Sequence, residues 1–600
     1  MTNIRERSKI CGKQEKARAA RAAGNSLGRS MLSSRRTGYL RTASYAAIFT
    51  GVGTSVYWLY TRRNLSASPG APSFDIRIRQ RTPDGHTVMA TKSISRLPSN
   101  GIEARLTANA KSESISRPYG VTWRHATASL NSNDPIEDAN AQLILRKDQK
   151  ANGGESRNLG AAGDLLFFAV MDGHAGPHTS RLLAKALIPA VALELSTLDR
   201  ASIELRGVDS LDKSQESYLT TAWSYFQALV PFSRRFSSHV PSEDPKYIQL
   251  AIQTAFANLD SEIINAPSRI LEMLESKADM KPWEHPMAAA SMLPALSGSC
   301  ALLAVLDTGR RDLHVAVTGD SRAVAGYWDE DSNGQGKWRV EVLTEDQTGR
   351  NINEYHRIPR MRRRMSSNEG EFWVSWLDGH IDSLSHCLLG GLEPTRAFGD
   401  ANYKWPKELQ ERLVSSLLAP GSTYRKTPAN LKTPPYVTSQ PVITRRTLDF
   451  LPSPSRQPNS KSTLRFLVLA TDGLWDELSS AEVVSLVGGY LEGRRGNVSK
   501  AQLANTVIIS KSAEGAGIEG KDTASKAKQG STDGEWAFVD ENIGTHLIRN
   551  AFGGADKEKL SQLLSIPSPY SRRYRDDVTV TVVWWEPNVR EEQDRIVPKL

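Results

Sequence analysis

Cysteine is scarce: only Cys11, Cys300 and Cys387 occur in 600 residues. Three thiols so far apart cannot build a disulfide framework or a thiolate metal site, so packing has to hold the fold and each reads as a small hydrophobe. Acid is missing too, but at one end only, since no Asp or Glu appears between Glu15 and Asp75. Residues 1–65 carry 13 Lys/Arg against Glu6 and Glu15, a surplus of 11, whereas the whole chain nets +10, so the other 535 residues sum to about −1. The basicity belongs to a leader, and a nucleic-acid footprint on the folded part loses its support. No internal repeat is visible. With 39% hydrophobic and 24% charged residues, a collagen, a fully disordered chain and a polytopic membrane protein are excluded.

What is present begins with that leader. From Arg5 to Arg41 the chain is rich in Arg, Ala and Ser, which predicts a mitochondrial presequence over residues 1–42. Residues 43–60 (ASYAAIFTGVGTSVYWLY) are uncharged, close on Arg62-Arg63, and place Tyr57, Trp58 and Tyr60 where an interfacial aromatic belt would sit, so they are expected to be a transmembrane segment anchoring the chain in the inner mitochondrial membrane. Charge does not separate a matrix-facing from an intermembrane-space-facing body. Residues 61–117 are polar without a sustained period and read as a linker. The catalytic domain is expected over residues 118–586, followed by a tail at 587–600. Insertions are expected near 350–370, with the basic run Arg360 to Arg364, near 406–435, and near 511–535, which is rich in Gly, Ser, Lys and Ala.

Short apolar runs bounded by turn signals predict strands at 165–171, 300–306, 313–319, 465–471 and 578–585. Helical spacing covers Gly176 to Leu195, Tyr247 to Leu274 with a break expected at Pro267, and Glu482 to Leu491 after the cap candidates Ser479 and Ser480. Strand runs separated by a few long helices suggest an α+β fold with sheets stacked between helix layers.

Four of these strands end or begin in aspartate: FFAVMDGH with Asp172, HVAVTGDSR with Asp320, FLVLATDGLWD with Asp472 and Asp476, and RDDVTVTVV with Asp576 and Asp577. The acid follows the strand in the first three and precedes it in the fourth. If the last strand runs antiparallel to its neighbours, all the carboxylates collect at one sheet edge. Glu137 and Asp138, in PIEDANAQLIL, add an acid pair at another strand start. Five or six carboxylates within a few ångströms would repel by on the order of several kcal/mol at intermediate dielectric, which is tolerable only with cations among them. Oxygen donors without His or Cys select Mg²⁺ or Mn²⁺ over zinc.

FAVMDGHAG, SGSCALLAVL followed by VAVTGDSRAV, LTEDQ, EPTRAFGD, LATDGLWD and RDDVTV stand in the order of the metal-dependent (type 2C) serine/threonine protein phosphatase family, which residues 118 to 586 resemble. The resemblance implies a four-layer α-β-β-α sandwich of two mainly antiparallel sheets flanked by helices. It implies two Mg²⁺ or Mn²⁺ ions, bridged by Asp172, with the Gly173 carbonyl on one and Asp472 with Asp576 on the other. Glu137 and Asp138 would act through metal-bound waters, and Asp320 with Asp476 would hold a third, weaker ion. A water activated by the two cations would attack phosphorus in line without a phosphoenzyme. His174 resembles the family's general acid, giving the leaving alkoxide its proton. Arg396 with Asp400, and Arg322, read as structural clamps.

Typical members place an arginine four residues before the first glutamate to grip the phosphate; here that position is Asn133, so the metals or another basic residue must take more of the phosphate charge. That substitution, the PIED string, Gln347 after LTED, RAFGDANYKW and TPPYVTSQPVIT resemble the mitochondrial pyruvate dehydrogenase phosphatase branch. By that resemblance the phosphoprotein substrate would be a phosphoserine on the E1 alpha subunit of the pyruvate dehydrogenase complex. A catalytically silent regulatory pseudophosphatase would be expected to lack Asp172, Asp472 or Asp576, and all three are present.

Overall fold

The computed structural model of the protein describes residues 72–587, apart from residues 83, 85, 118–120, 146–162, 205–245, 276–279, 331–334, 366–386, 449–461, 515–516 and 524–532. The expected presequence, the segment 43–60 and the tail after Pro587 lie outside the described residues. Among the described residues no helix is long and apolar enough to cross a membrane.

Two large sheets carry the chain. One orders five strands as β11-β8-β7-β6-β5: β5 is Ala139–Leu145, β6 Leu165–Met171, β7 Ala301–Asp307, β8 Asp312–Thr318 and β11 Val442–Thr447. The other orders seven as β13-β10-β9-β12-β14-β4-β3: β3 is Lys111–Arg117, β4 Val121–Leu130, β9 Arg322–Glu330, β10 Gly336–Val342, β12 Ser462–Ala470, β13 Val507–Ile509 and β14 Val578–Pro587. Every pairing within them is antiparallel except β10 with β13.

The two-residue alternation of a strand decides the layering. In β6, Leu166, Phe168 and Val170 pack with Leu302, Val315, Leu467 and Val583 between the sheets. Phe167, Ala169 and Met171 face the other way, onto α2 (His178–Glu204), α3 (Lys246–Glu275) and α4 (Pro286–Leu296), against Leu187, Phe256 and Met292. On the far side Phe466, Val468 and Val580 meet Val483 and Val487 of α7 (Ser480–Leu491) and Leu547 of α8 (Ile543–Phe552). Helix, sheet, sheet, helix is therefore the observed order, as the sequence resemblance implied.

Helix α3 does not break at Pro267. The ring removes one amide donor and crowds a carbonyl, a cost of about 3 kcal/mol, but Tyr247, Ile252, Phe256, Ile263 and Leu271 are buried along the same helix, and that packing outweighs it. Helix α7 starts as its sequence suggests. Ser479 accepts from the Glu482 amide while Glu482 Oε2 accepts from the Ser479 amide at 2.8 Å, a reciprocal cap.

The stretch 61–117 is not a linker where it is described. β1 (Ser73–Arg81) and β2 (Thr87–Ser95) form an antiparallel hairpin, α1 (Ser99–Thr107) follows, and β3 adds an edge strand to β4. Ile76 and Ile94 pack on Ile566 beside Tyr570 and Tyr574, and Ile102 and Leu106 enter the helix-sheet core. One apolar face per element, set among Arg, Ser and Lys, is too sparse to register as a period, so the segment reads as polar coil until its partners are known. The three expected insertions are also partly packed: Ile352–Met365 forms α5, Lys407–Leu417 forms α6 with Leu413 and Leu417 in the core, and Lys511–Glu514 and Gly520–Asp522 form short 3-10 turns.

Leu106 is 1% exposed, so Leu106→Ala is expected to lower the unfolding free energy by about 2–5 kcal/mol. The denaturant midpoint measures it, and an unchanged midpoint would return this segment to the status of a linker.

Candidate metal centre

Because β5 is antiparallel to β6, pairing Ala139 with Met171, and β14 is antiparallel to β12, pairing Val580 with Ala470, strand starts and strand ends meet at one rim. Asp172 leaves β6 there, Asp320 leaves β8, Asp472 leaves β12, while Asp138 enters β5 and Asp577 enters β14. One carboxylate oxygen each from Asp172, Asp320 and Asp472 lies within 4.8 Å of the others.

That crowding is electrostatically costly. Burial, then the charges of Asp472, Asp138 and Asp320, pushes the Asp172 carboxyl well above the usual carboxylate range. Burial and then Asp472 do the same to Asp320. Asp138 is raised by burial and Asp577, even though Thr471 Oγ1 donates to its Oδ2 at 2.9 Å. Burial and the neighbouring Asp476 push Asp472 up to about 6. Hard divalent cations fit this site: the three gathered donors are all carboxylate oxygens, and their raised affinity for protons measures a shortage of positive charge.

The other predicted residues occupy different stations. Glu137 accepts from the Gly176 amide through Oε1 at 2.7 Å and from Asn133 Nδ2 through Oε2 at 2.6 Å, so it fastens the DGHAG loop. A Cβ at Gly173 would run into the Glu137 carbonyl oxygen, which leaves room only for glycine. Asp577 accepts from the amides of Ser132 (2.5 Å), Asn133 (2.8 Å) and Glu137 (2.9 Å), and from Asn133 Nδ2 (3.0 Å), tying the 132–137 loop to the start of β14. Asp576 stands outside the compact group, ion-paired with Arg572 and accepting from the Asp577 amide at 2.7 Å. Asp476 is exposed.

His174 lies in a two-residue strand, Gly173–His174, that pairs with Gly298–Ser299 and through it with Phe398–Gly399. Its Nε2 is 2.6 Å from Asp400 Oδ2, and a Cβ at Gly298 would collide with both side chains. Burial alone would raise Asp400, but the charges of His174, Arg425 and Lys404 hold it below the usual carboxylate range. Asp400 is therefore the partner of His174 and not of Arg396, which forks onto Glu354 at 2.7 Å (Nη2) and 3.0 Å (Nε). Arg322 does clamp structure, with Nε on Asp346 at 3.0 Å and Nη1 on Asp522 at 2.7 Å. Gln347 accepts from the Gly319 amide at 2.7 Å, steadying the turn that carries Asp320.

Two residues near the site gave no warning in sequence. Glu393, in EPTRAFGD, acts on Asp320 and is itself raised by burial and by Asp472 and Asp476, with Arg350 opposing. Arg572 acts on Glu137 and Asp472, but within SRRYRDD it looks like one more surface cation.

A family profile described as Protein phosphatase 2C matches residues 210–514. The mitochondrial pyruvate dehydrogenase (acetyl-transferring) phosphatase 1 of Saccharomyces cerevisiae is 33% identical over 542 residues, 89% of this chain and 80% of that one. A protein phosphatase 2C homolog of Schizosaccharomyces pombe is 32% identical over 81% of this chain and 85% of its own. The mitochondrial pyruvate dehydrogenase phosphatase 1 of Homo sapiens is 30% identical over 71% of this chain and 73% of its own. With its carboxylates gathered at one strand rim and relatives of this length and identity, the chain belongs to the protein phosphatase 2C family and is a metal-dependent protein serine/threonine phosphatase.

Proposed function

We propose that this phosphatase works in mitochondria on phosphoserine and phosphothreonine, with the E1 alpha subunit of the pyruvate dehydrogenase complex as its substrate. The convergence of Asp172, Asp320 and Asp472 within 4.8 Å carries the chemistry. The acid-poor, Arg-rich leader and the mitochondrial pyruvate dehydrogenase phosphatases among the relatives support compartment and substrate. Residues 43–60 are the candidate anchor to the inner membrane, on sequence alone.

In this reading Asp172, the Gly173 carbonyl, Asp472 and Asp576 hold two Mg²⁺ or Mn²⁺ ions, Glu137 and Asp138 hold their waters, and Asp320 with Asp476 holds a third. Bound there, the ions supply an acidified water and offset the charge of the phosphoryl group. The protein's own part is to aim and to move protons. Asp400 Oδ2, 2.6 Å from His174 Nε2, fixes the orientation of the ring, and in its protonated form His174 gives a proton to the departing serine or threonine oxygen.

Asp172→Asn is expected to raise the melting temperature of the metal-free protein by removing a repelled charge. Mn²⁺ at a hundredfold excess over its dissociation constant should add about 2.7 kcal/mol to the wild type and little to the variant. Without metal, Asp472 binds its proton more tightly folded, at about 6 against an ordinary 3.8, so stability should fall as pH rises between those values. A wild type with no thermal response to Mn²⁺ or Mg²⁺ would end this assignment.

His174→Ala should lower turnover of a phosphoserine peptide by roughly 10²- to 10⁴-fold. It should cost far less with p-nitrophenyl phosphate, whose leaving group needs no proton; equal losses on both substrates would refute the acid role. Alkaline carbonate extraction of mitochondria tests the anchor: the full chain should stay in the pellet and a chain lacking residues 43–60 should be released.

A further inference from the structure

The structure leaves a gap in the grip on phosphate. Asn133 cannot fill it, because its side-chain amide has two hydrogens and both are spent, on Glu137 Oε2 at 2.6 Å and Asp577 Oδ2 at 3.0 Å. Its remaining oxygen would face a phosphate lone pair to lone pair. Most arginines around the rim are tied to two or more acceptors. Arg350 is held by Glu393 at 2.8 Å and Glu519 at 2.6 Å, Arg322 by Asp346 and Asp522, and Arg425 by Gly391 O and Tyr403 Oη.

Arg572 is different. Its single ion-pair partner among the described residues is Asp576, its side chain is 15% exposed, and its buried Nε has no hydrogen-bond partner. Its charge reaches both Glu137 and Asp472. The turn carrying it is fixed from both directions. Ser571 Oγ donates to Ser132 O at 2.6 Å and Arg575 Nη1 to Asn131 O at 2.5 Å, while Arg573 Nη1 donates to Arg77 O of the hairpin at 2.9 Å.

Resting on the phosphatase reading above, we propose that Arg572 is the guanidinium that grips the substrate phosphoryl group, supplied from the 571–573 turn in place of an arginine at position 133. Arg572 holds Asp576 in the state seen here and presents its planar fork to two phosphoryl oxygens when substrate arrives. The hairpin and the 131–133 loop serve as its mounting.

The test compares wild type, Arg572→Ala, Arg572→Lys and Arg412→Ala, an exposed arginine paired with Glu275, in the full chain with saturating Mn²⁺. Arg572→Ala should raise both the KM for a phosphoserine peptide and the inhibition constant for inorganic phosphate about 10-fold or more. Arg572→Lys should recover part of each, because a point charge remains without the fork. Arg412→Ala should leave both constants unchanged. Phosphate inhibition within about twofold of wild type in Arg572→Ala, or an equal rise in Arg412→Ala, overturns the proposal. Calorimetric titration with inorganic phosphate reads the same contact without turnover. A wild type that binds phosphate through Arg572 and yet hydrolyses nothing would therefore overturn the phosphatase reading and leave this one standing.

Discussion

Mutual repulsion among half-buried carboxylates is the constraint around which this molecule is arranged. Asp172, Asp320 and Asp472 are pressed together at a strand rim, and burial adds to the cost each charge imposes on the others. A protein evolving for stability alone would not keep them. They persist because two packed sheets hold the rim whether or not the charges are balanced, and that imbalance is what gives a divalent cation its affinity.

The rim is a consequence of strand direction. Antiparallel pairing puts the beginning of β14 beside the end of β12, and the beginning of β5 beside the end of β6. Acids hundreds of residues apart thus become neighbours without any of them having to reach. The sandwich core supplies the rigidity: Phe168, Leu302 and Leu467 lock the sheets face to face, so the carboxylates cannot relax apart.

Around the acids the chain divides its polar groups between holding and acting. Asp577 spends both oxygens on amides of the 132–137 loop, and Glu137 clasps the turn after Asp172. Arg322 and Arg396 are consumed by the carboxylates of Asp346 and Glu354. Among the described residues, the three clustered acids, His174 braced by Asp400 and Arg572 keep capacity for chemistry.

Sequence alone determined the strands, the acids at their tips and the choice of oxygen-loving metals, because these depend on local period and on residue type. It also located the α7 cap, which is written in adjacent residues. It could not determine partners that lie far along the chain. Asp400 sits four residues from Arg396, and that proximity suggested a clamp between them. The fold instead turns Asp400 to His174 and Arg396 to Glu354. The segment before residue 118 looked like coil because each of its elements has a single sparse apolar face. Only Ile566, the tyrosines near it and the edge of β4 give those faces something to cover. Ion pairs and one-sided packing carry no periodic signature, so tertiary structure alone decides them.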